Sequence, residues 1–166
     1  MIRPLRVLSV RQPFATALFG PKPGENRTWA PSRAVLAPGD WLAIHASVSL
    51  FVGARRIVDR WKDTADAAWG EGRGLWPDSP PLAKMPRDAI IGVLRYAGSI
   101  GGYTQWQQGD RWAEEYGHYW TFSDRRPFAT PIKPPPAGPM AHAGLWVAPP
   151  EVVEAARALG CEVPDV

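Results

Sequence analysis

Apolar and polar residues alternate over Leu5–Val10, turning β-branched toward the end, which predicts a first strand. Gln12–Gly20 then reads as a short helix: Pro13 stands in its first turn, Phe14, Ala17 and Leu18 share a face, and Gly20 stops it. Pro21–Gly24 is a tight turn, followed by an alternating strand over Glu25–Ala30. After the turn Pro38-Gly39-Asp40 comes a strong strand, Trp41–Ala46, with Leu42 and Ile44 on one face and Trp41, Ala43 and His45 on the other. Phe51, Ala54, Ile57, Val58 and Trp61 recur at helical spacing and predict an amphipathic helix over Leu50–Trp61, its pattern extending toward Ala67–Trp69. Gly70–Pro86 is a long loop, Ala89–Ala97 an apolar, central strand, and Asp110–Tyr116 a short helical turn. Tyr119–Phe122 and Phe128–Ile132 read as two strands around a turn at Asp124–Arg126. A Pro-rich connection, Lys133–Met140, leads to a last strand at Gly144–Ala148 and a helix over Pro149–Leu159 that ends at Gly160.

Composition narrows the fold. The 166 residues suit one domain, with 149–166 as a C-terminal helical extension. The 19 Pro and 16 Gly argue against a helical bundle and for short strands and many loops. Closing such strands on themselves removes exposed edges. The expected class is therefore α+β, a small β-barrel with peripheral helices. One cysteine, Cys161, leaves no disulfide framework and no cysteine-based zinc site, and fits a reducing compartment such as the cytoplasm. His45, His118 and His142 are too scattered to predict a metal site, so neither metal nor cofactor is expected. The longest apolar runs, Trp41–Ile44 and Ala89–Leu94, fall far short of the roughly 20 residues of a membrane span, and no secretory signal is read at the N-terminus. P-loop, G-x-G-x-x-G, H-E-x-x-H and G-x-S-x-G patterns are absent.

The net charge of +3 is unevenly spread. Residues 1–60 carry nine Lys/Arg against three acids, a local +6, while the rest of the chain is slightly acidic. A basic N-terminal part suits a phosphate-bearing partner. Nine Trp provide core volume or stacking surface.

Leu8-Ser9-Val10-Arg11-Gln12-Pro13-Phe14-Ala15, followed by Gly20-Pro21-Lys22-Pro23-Gly24-Glu25-Asn26-Arg27, resembles the ASCH domain of the PUA-like superfamily of small barrels. The shared pattern is S-x-R-Q-P-(aromatic)-A and then G-x-K-x-x-E-x-R. Gly39–Ser47, Ile91-Gly92-Val93, Tyr119-Trp120 with Arg126-Pro127-Phe128, and Gly144-Leu145-Trp146 look like the family's later segments, so the likeness runs from about Leu8 to Trp146. It implies a PUA-like barrel and an RNA, nucleic-acid or nucleotide ligand in a cleft lined by the signature loop. Relatives include enzymes that cleave RNA or act on modified nucleosides. One branch looks like an amidohydrolase acting on N4-acetylcytidine through Lys, Thr and Glu. Lys22 matches its lysine, Glu25 stands where its threonine belongs, and Ile90–Ala97 holds no carboxylate.

On this likeness the ligand-binding candidates are Ser9, Arg11, Gln12, Lys22, Glu25, Arg27, His45, Ser47, Tyr119 and Trp120, with Lys22 and Glu25 catalytic if the protein is an enzyme. Lys22 meets a phosphate or, if desolvated, serves as base or nucleophile; otherwise it is a solvated turn lysine. Glu25 and Arg27 share a strand face, where one accepts from a base amino group and the other holds a phosphate, or the two form a structural ion pair. Arg11 and Gln12 bind a phosphate and a base edge, or brace the turn. His45 and Ser47 share a face by period two, and His45 shuttles a proton or is a satisfied structural residue. Tyr119 and Trp120 stack a base or fill the core. Trp69 and Trp76 form a lid over, or pack down, the 70–86 loop. Arg55, Arg56 and Arg60 extend a phosphate track or line a solvated helix face. Pro134–Pro136 is a rigid connector, or a ligand for a protein partner. An RNA-binding module is the leading reading, and an enzyme or a protein-interaction domain are the others.

Overall fold

The computed structural model describes residues 3–50, 76, 79–101, 117–136 and 144–164. Its elements are β1 (Arg6–Gln12), α1 (Phe14–Ala17), β2 (Gly24–Arg27), β3 (Trp41–Leu50), a 3₁₀ turn (Leu82–Lys84), β4 (Ala89–Gly101), β5 (His118–Ile132), β6 (Leu145–Val147) and α2 (Pro150–Ala158). The strands form one six-stranded mixed sheet in the order β2-β5-β4-β3-β1-β6, with β1 and β3 parallel and the other pairs antiparallel. The fold is a small α+β half-barrel, as expected. The two-residue alternation of β1 and β3 feeds two separate cores. Leu8, Val10, Leu42, Ile44 and Ala46 join one cluster with Leu18, Leu94 and Trp120. Leu5, Val7, Trp41 and Ala43 join the other, which Val152 and Ala156 of α2 and Cys161 complete. Each fully buried aliphatic side chain contributes about 1.5–3 kcal/mol.

The sheet curls, and a side chain bridges its seam. β6 pairs with Arg6–Leu8 of β1, and among the described residues no strand continues that pairing beyond Leu8. Arg27, at the end of the opposite edge strand β2, donates from Nη2 to the carbonyl of Ser9 at 2.9 Å. A short edge strand and a capping guanidinium thus manage an edge that would otherwise be left bare.

Four expectations are revised. α1 is shorter than Gln12–Gly20, because its end tightens into i→i+3 bonds from Phe19 to Thr16 (3.0 Å) and Gly20 to Ala17 (2.9 Å). β2 stops at Arg27, where Trp29 leaves the sheet to pack edge-on against Trp120 with ring centres 5.0 Å apart. β3 runs on to Leu50. Asp124–Arg126 is not a turn: β5 is one strand, with Asp124, Arg125 and Arg126 paired to Arg95, Leu94 and Val93 of β4. Register irregularities along the β4–β5 pair bend this long strand, so Trp120 and Phe122 enter the first core while Phe128 and Ile132 pack on the second. The charged triplet survives mid-strand because each member has a partner. Arg126 grips Asp124 at 2.9 Å, donates to the Leu159 carbonyl and lies 5.0 Å over the Trp41 ring. Gly160, at φ +75°, provides the left-handed residue that ends α2. β4 is central, as expected, and β6 and α2 fall where the pattern put them. The helix expected over Leu50–Trp61 with Arg55, Arg56, Arg60 and Trp69, the turn Asp110–Tyr116 and His142 lie outside the described residues, apart from the backbone of Leu50.

Candidate functional site

The signature turn between α1 and β2 is held from three sides. Arg125 of β5 donates from Nη1 to the Gly20 carbonyl (2.7 Å) and from Nη2 to that of Pro23 (3.2 Å). Burial pulls the Arg125 guanidinium below its usual pKa, with Tyr119 acting weakly the other way. Trp76 lies against Gly20, where a Cβ would come within 3.0 Å of its indole nitrogen, and it packs with Ala17 and Met85. This residue of the 70–86 loop is therefore packed down. On the third side Gly24 sits so close to β5 that a Cβ would fall 2.6 Å from the Tyr119 ring.

Inside this frame Lys22 is 1% exposed, so it is not a solvated turn lysine. Its ammonium donates to the Gly24 carbonyl and to Glu25 Oε2, the latter at 2.7 Å, and lies 5.6 Å from the Phe14 ring centre. Glu25 Oε1 faces Arg27 Nη2 at 3.3 Å. Buried charges persist only when paired and hydrogen-bonded, and here one carboxylate stands between two cations. The array keeps a net positive charge, with half-buried Arg27 as its outer member. Arg27 Nε is buried and finds no hydrogen-bond acceptor among the described residues.

Ser9 extends the array. Its carbonyl accepts from Arg27, while its hydroxyl lies 3.0 Å from Nδ1 of His45, its register partner on β3. His45 is 2% exposed, its ring edge-on to Trp146 at 6.0 Å, and its Nε2 stands 3.6 Å from Asp88 Oδ1. Asp88 holds the left-handed backbone conformation at φ +49°, which Asp and Asn tolerate better than most residues. A polar chain therefore runs Lys22–Glu25–Arg27–Ser9–His45–Asp88.

The remaining candidates sit apart from that chain. Gln12 is buried at the Gln12–Pro13 cis peptide, donating to the Pro86 carbonyl (2.7 Å) and accepting from the Thr16 amide (3.0 Å), so it braces the turn. Arg11 is exposed at the end of β1. Ser47 donates to the Ser49 carbonyl at 3.2 Å, further along β3. Tyr119 is buried beneath Gly24. Trp120 is fully buried, donates to the Trp29 carbonyl at 3.1 Å and stacks edge-on against Tyr96. With no exposed ring face, Trp120 fills the core rather than offering a stacking surface.

Asp88 and Arg125 were missed as site residues. Arg125 falls within the expected turn Asp124–Arg126, and no local pattern in the sequence marks Asp88.

No protein-family model matches the chain, and no curated protein matches it. Among solved structures, ASCH from Zymomonas mobilis matches over 93% of this chain and 94% of its own, at 15% identity and a TM-score of 0.46. Among the described residues no helix is long and apolar enough to cross a membrane.

Proposed function

We propose that this chain is an ASCH-like RNA-binding module of the cytoplasm. It takes a phosphate of a single-stranded or modified RNA at the mouth formed by Lys22, Glu25 and Arg27. The observation that carries this reading is the positively charged buried array whose outermost cation, Arg27, has a buried donor with no acceptor among the described residues. A phosphate oxygen is the acceptor such a donor selects, and a guanidinium fixed by two neighbours loses little freedom on binding it. Exposed Arg11, at the end of the same strand as Ser9, lengthens the basic rim. The base is read beside this phosphate, from the groups around the signature loop.

The test is binding of short single-stranded RNA and DNA oligomers across a salt series, with wild type and Arg27→Ala. Single-strand affinity falls with salt at a slope of about −0.7 for each phosphate neutralised. Arg27→Ala should weaken binding and flatten that slope by about 0.7. Binding with an unchanged slope, or no binding at low salt, rejects the reading. Mass spectrometry of the recovered strands tests the second reading, an enzyme acting on RNA or a modified nucleoside through Lys22 and Glu25. That reading rests on the burial of both groups side by side.

A further inference from the structure

We propose that Ser9 is an acylatable nucleophile, activated by His45, that transfers acyl groups from small esters or amides to water. This activity is distinct from RNA binding, and its failure would leave that reading standing. A nucleophile–base–acid constellation is recognised by geometry and roles rather than by sequence order. Ser9 Oγ lies 3.0 Å from His45 Nδ1, within reach for direct proton transfer. The pair does not depend on loops, because Ser9 and His45 are register partners on two parallel strands. On the far side of the ring, Nε2 stands 3.6 Å from the Asp88 carboxylate. A carboxylate there favours the tautomer with its proton on Nε2, which leaves Nδ1 as the acceptor for the serine proton. Contacts of this kind are often long in ligand-free sites and tighten when substrate binds. Asp88 adopts an unusual backbone conformation at φ +49°, as residues at working sites often do.

The fourth element is positive charge. The Arg27 guanidinium is anchored on the Ser9 carbonyl at 2.9 Å, and its Nε has no acceptor among the described residues. It is the group beside Ser9 able to meet negative charge that develops on a bound acyl oxygen. Ser9 itself is half-buried rather than sealed.

The step balances without any further reactant but water. The Ser9 hydroxyl proton moves to His45 Nδ1 as Oγ bonds to the acyl carbon, and the carbonyl π pair moves onto its oxygen. Collapse of that intermediate breaks the bond to the leaving group, which takes the proton from Nδ1. A water, deprotonated by Nδ1, then attacks the acyl-serine; collapse of this second intermediate breaks the bond from Oγ to the acyl carbon, Nδ1 returns its proton to Oγ, and the carboxylic acid leaves.

The experiment treats the full chain with a fluorophosphonate probe and, separately, with p-nitrophenyl acetate, following intact mass and nitrophenolate release. Wild type should gain the mass of one probe less HF, mapped by peptide analysis to Ser9, and Ser9→Ala should gain none. His45→Gln should slow labelling by about 100-fold or more. Asp88 is a positioning residue. Asp88→Asn keeps the tolerated backbone conformation, so it should slow labelling on the order of 10-fold at unchanged melting temperature, with Asp88→Glu restoring part of the rate. An unlabelled wild type, an adduct on another residue, or His45→Gln labelled at the wild-type rate overturns the proposal. If Ser9→Ala does not fold, the position of the wild-type adduct decides.

Discussion

Replacing Glu25 by glutamine keeps the shape of the side chain and removes its charge. Among the described residues, Lys22, 1% exposed, would then keep as hydrogen-bond partners the Gly24 carbonyl and a neutral amide, and Arg27 would lose its ion-pair partner. At 2.7 Å and an effective dielectric constant of about 20, the lost Lys22–Glu25 attraction is about 6 kcal/mol before desolvation is counted. Breaking a buried pair by removing one partner typically costs about 3–5 kcal/mol, because the remaining charge is stranded. For a chain of this size each kcal/mol moves the melting temperature by about 2–4 °C, so Glu25→Gln should melt about 6–20 °C lower. Urea unfolding should show the same loss at an unchanged slope. The double variant Lys22→Met/Glu25→Leu should recover most of the deficit, since apolar residues of similar volume replace such pairs at little cost. A Glu25→Gln protein within about 0.5 kcal/mol of wild type would refute the assignment of Lys22 as a buried cation held by Glu25.

Three further outcomes are expected. Gly24→Ala puts a methyl 2.6 Å from the Tyr119 ring, so it should destabilise by about 1–3 kcal/mol in a thermal melt and weaken RNA binding with it. Arg125→Lys removes the fork that holds the Gly20 and Pro23 carbonyls; hydrogen exchange at the Lys22 and Glu25 amides should quicken while α2 is unaffected. At Asp40, burial raises the carboxyl pKa but is outweighed by hydrogen bonds from Arg3 and the Ala37 amide and by the Arg3 charge, so it ends below its ordinary 3.8. A lowered folded value contributes stability that is fully present above the unfolded value and lost as pH falls through the folded one. Asp40→Asn should therefore flatten the decline in stability below about pH 3.8 in acid titrations followed by circular dichroism.

Strands with a clear alternation or a continuous apolar run are legible from the residues alone. β1, β3 and β4 bury apolar side chains on both faces, and β-branched and aromatic residues mark them without help from distant contacts. β5 is not legible as one strand because three consecutive charges carry a turn's composition, and their partners come from elsewhere in the chain. Arg125 needs the α1–β2 turn, and Arg126 needs the end of α2. Lys22 shows the same limit from the other side. From the sequence, a lysine between two prolines is either a functional group or a solvated turn lysine, and it takes the tertiary frame of Arg125, Trp76 and Tyr119 to make its surroundings dry. The spacing of Glu25 and Arg27 did put them on one face, and they meet at 3.3 Å. The pairing of Ser9 with His45 depends on the parallel register of two strands 36 residues apart in sequence, which no local pattern encodes.

The position of β1 between β3 and β6 imposes an order of events on the growing polypeptide. One neighbour, reached at Leu42, leaves the ribosome early; the other begins at Leu145, about 100 residues later. At about 5–20 residues per second that interval is roughly 5–20 s. Throughout it, Arg6–Leu8 lack the strand that finally covers them. A nascent chain halted before Leu145 would display that bare edge to every other halted chain in a polysome. Pausing or truncation upstream of β6 is therefore the point at which this protein is most exposed to strand-to-strand association.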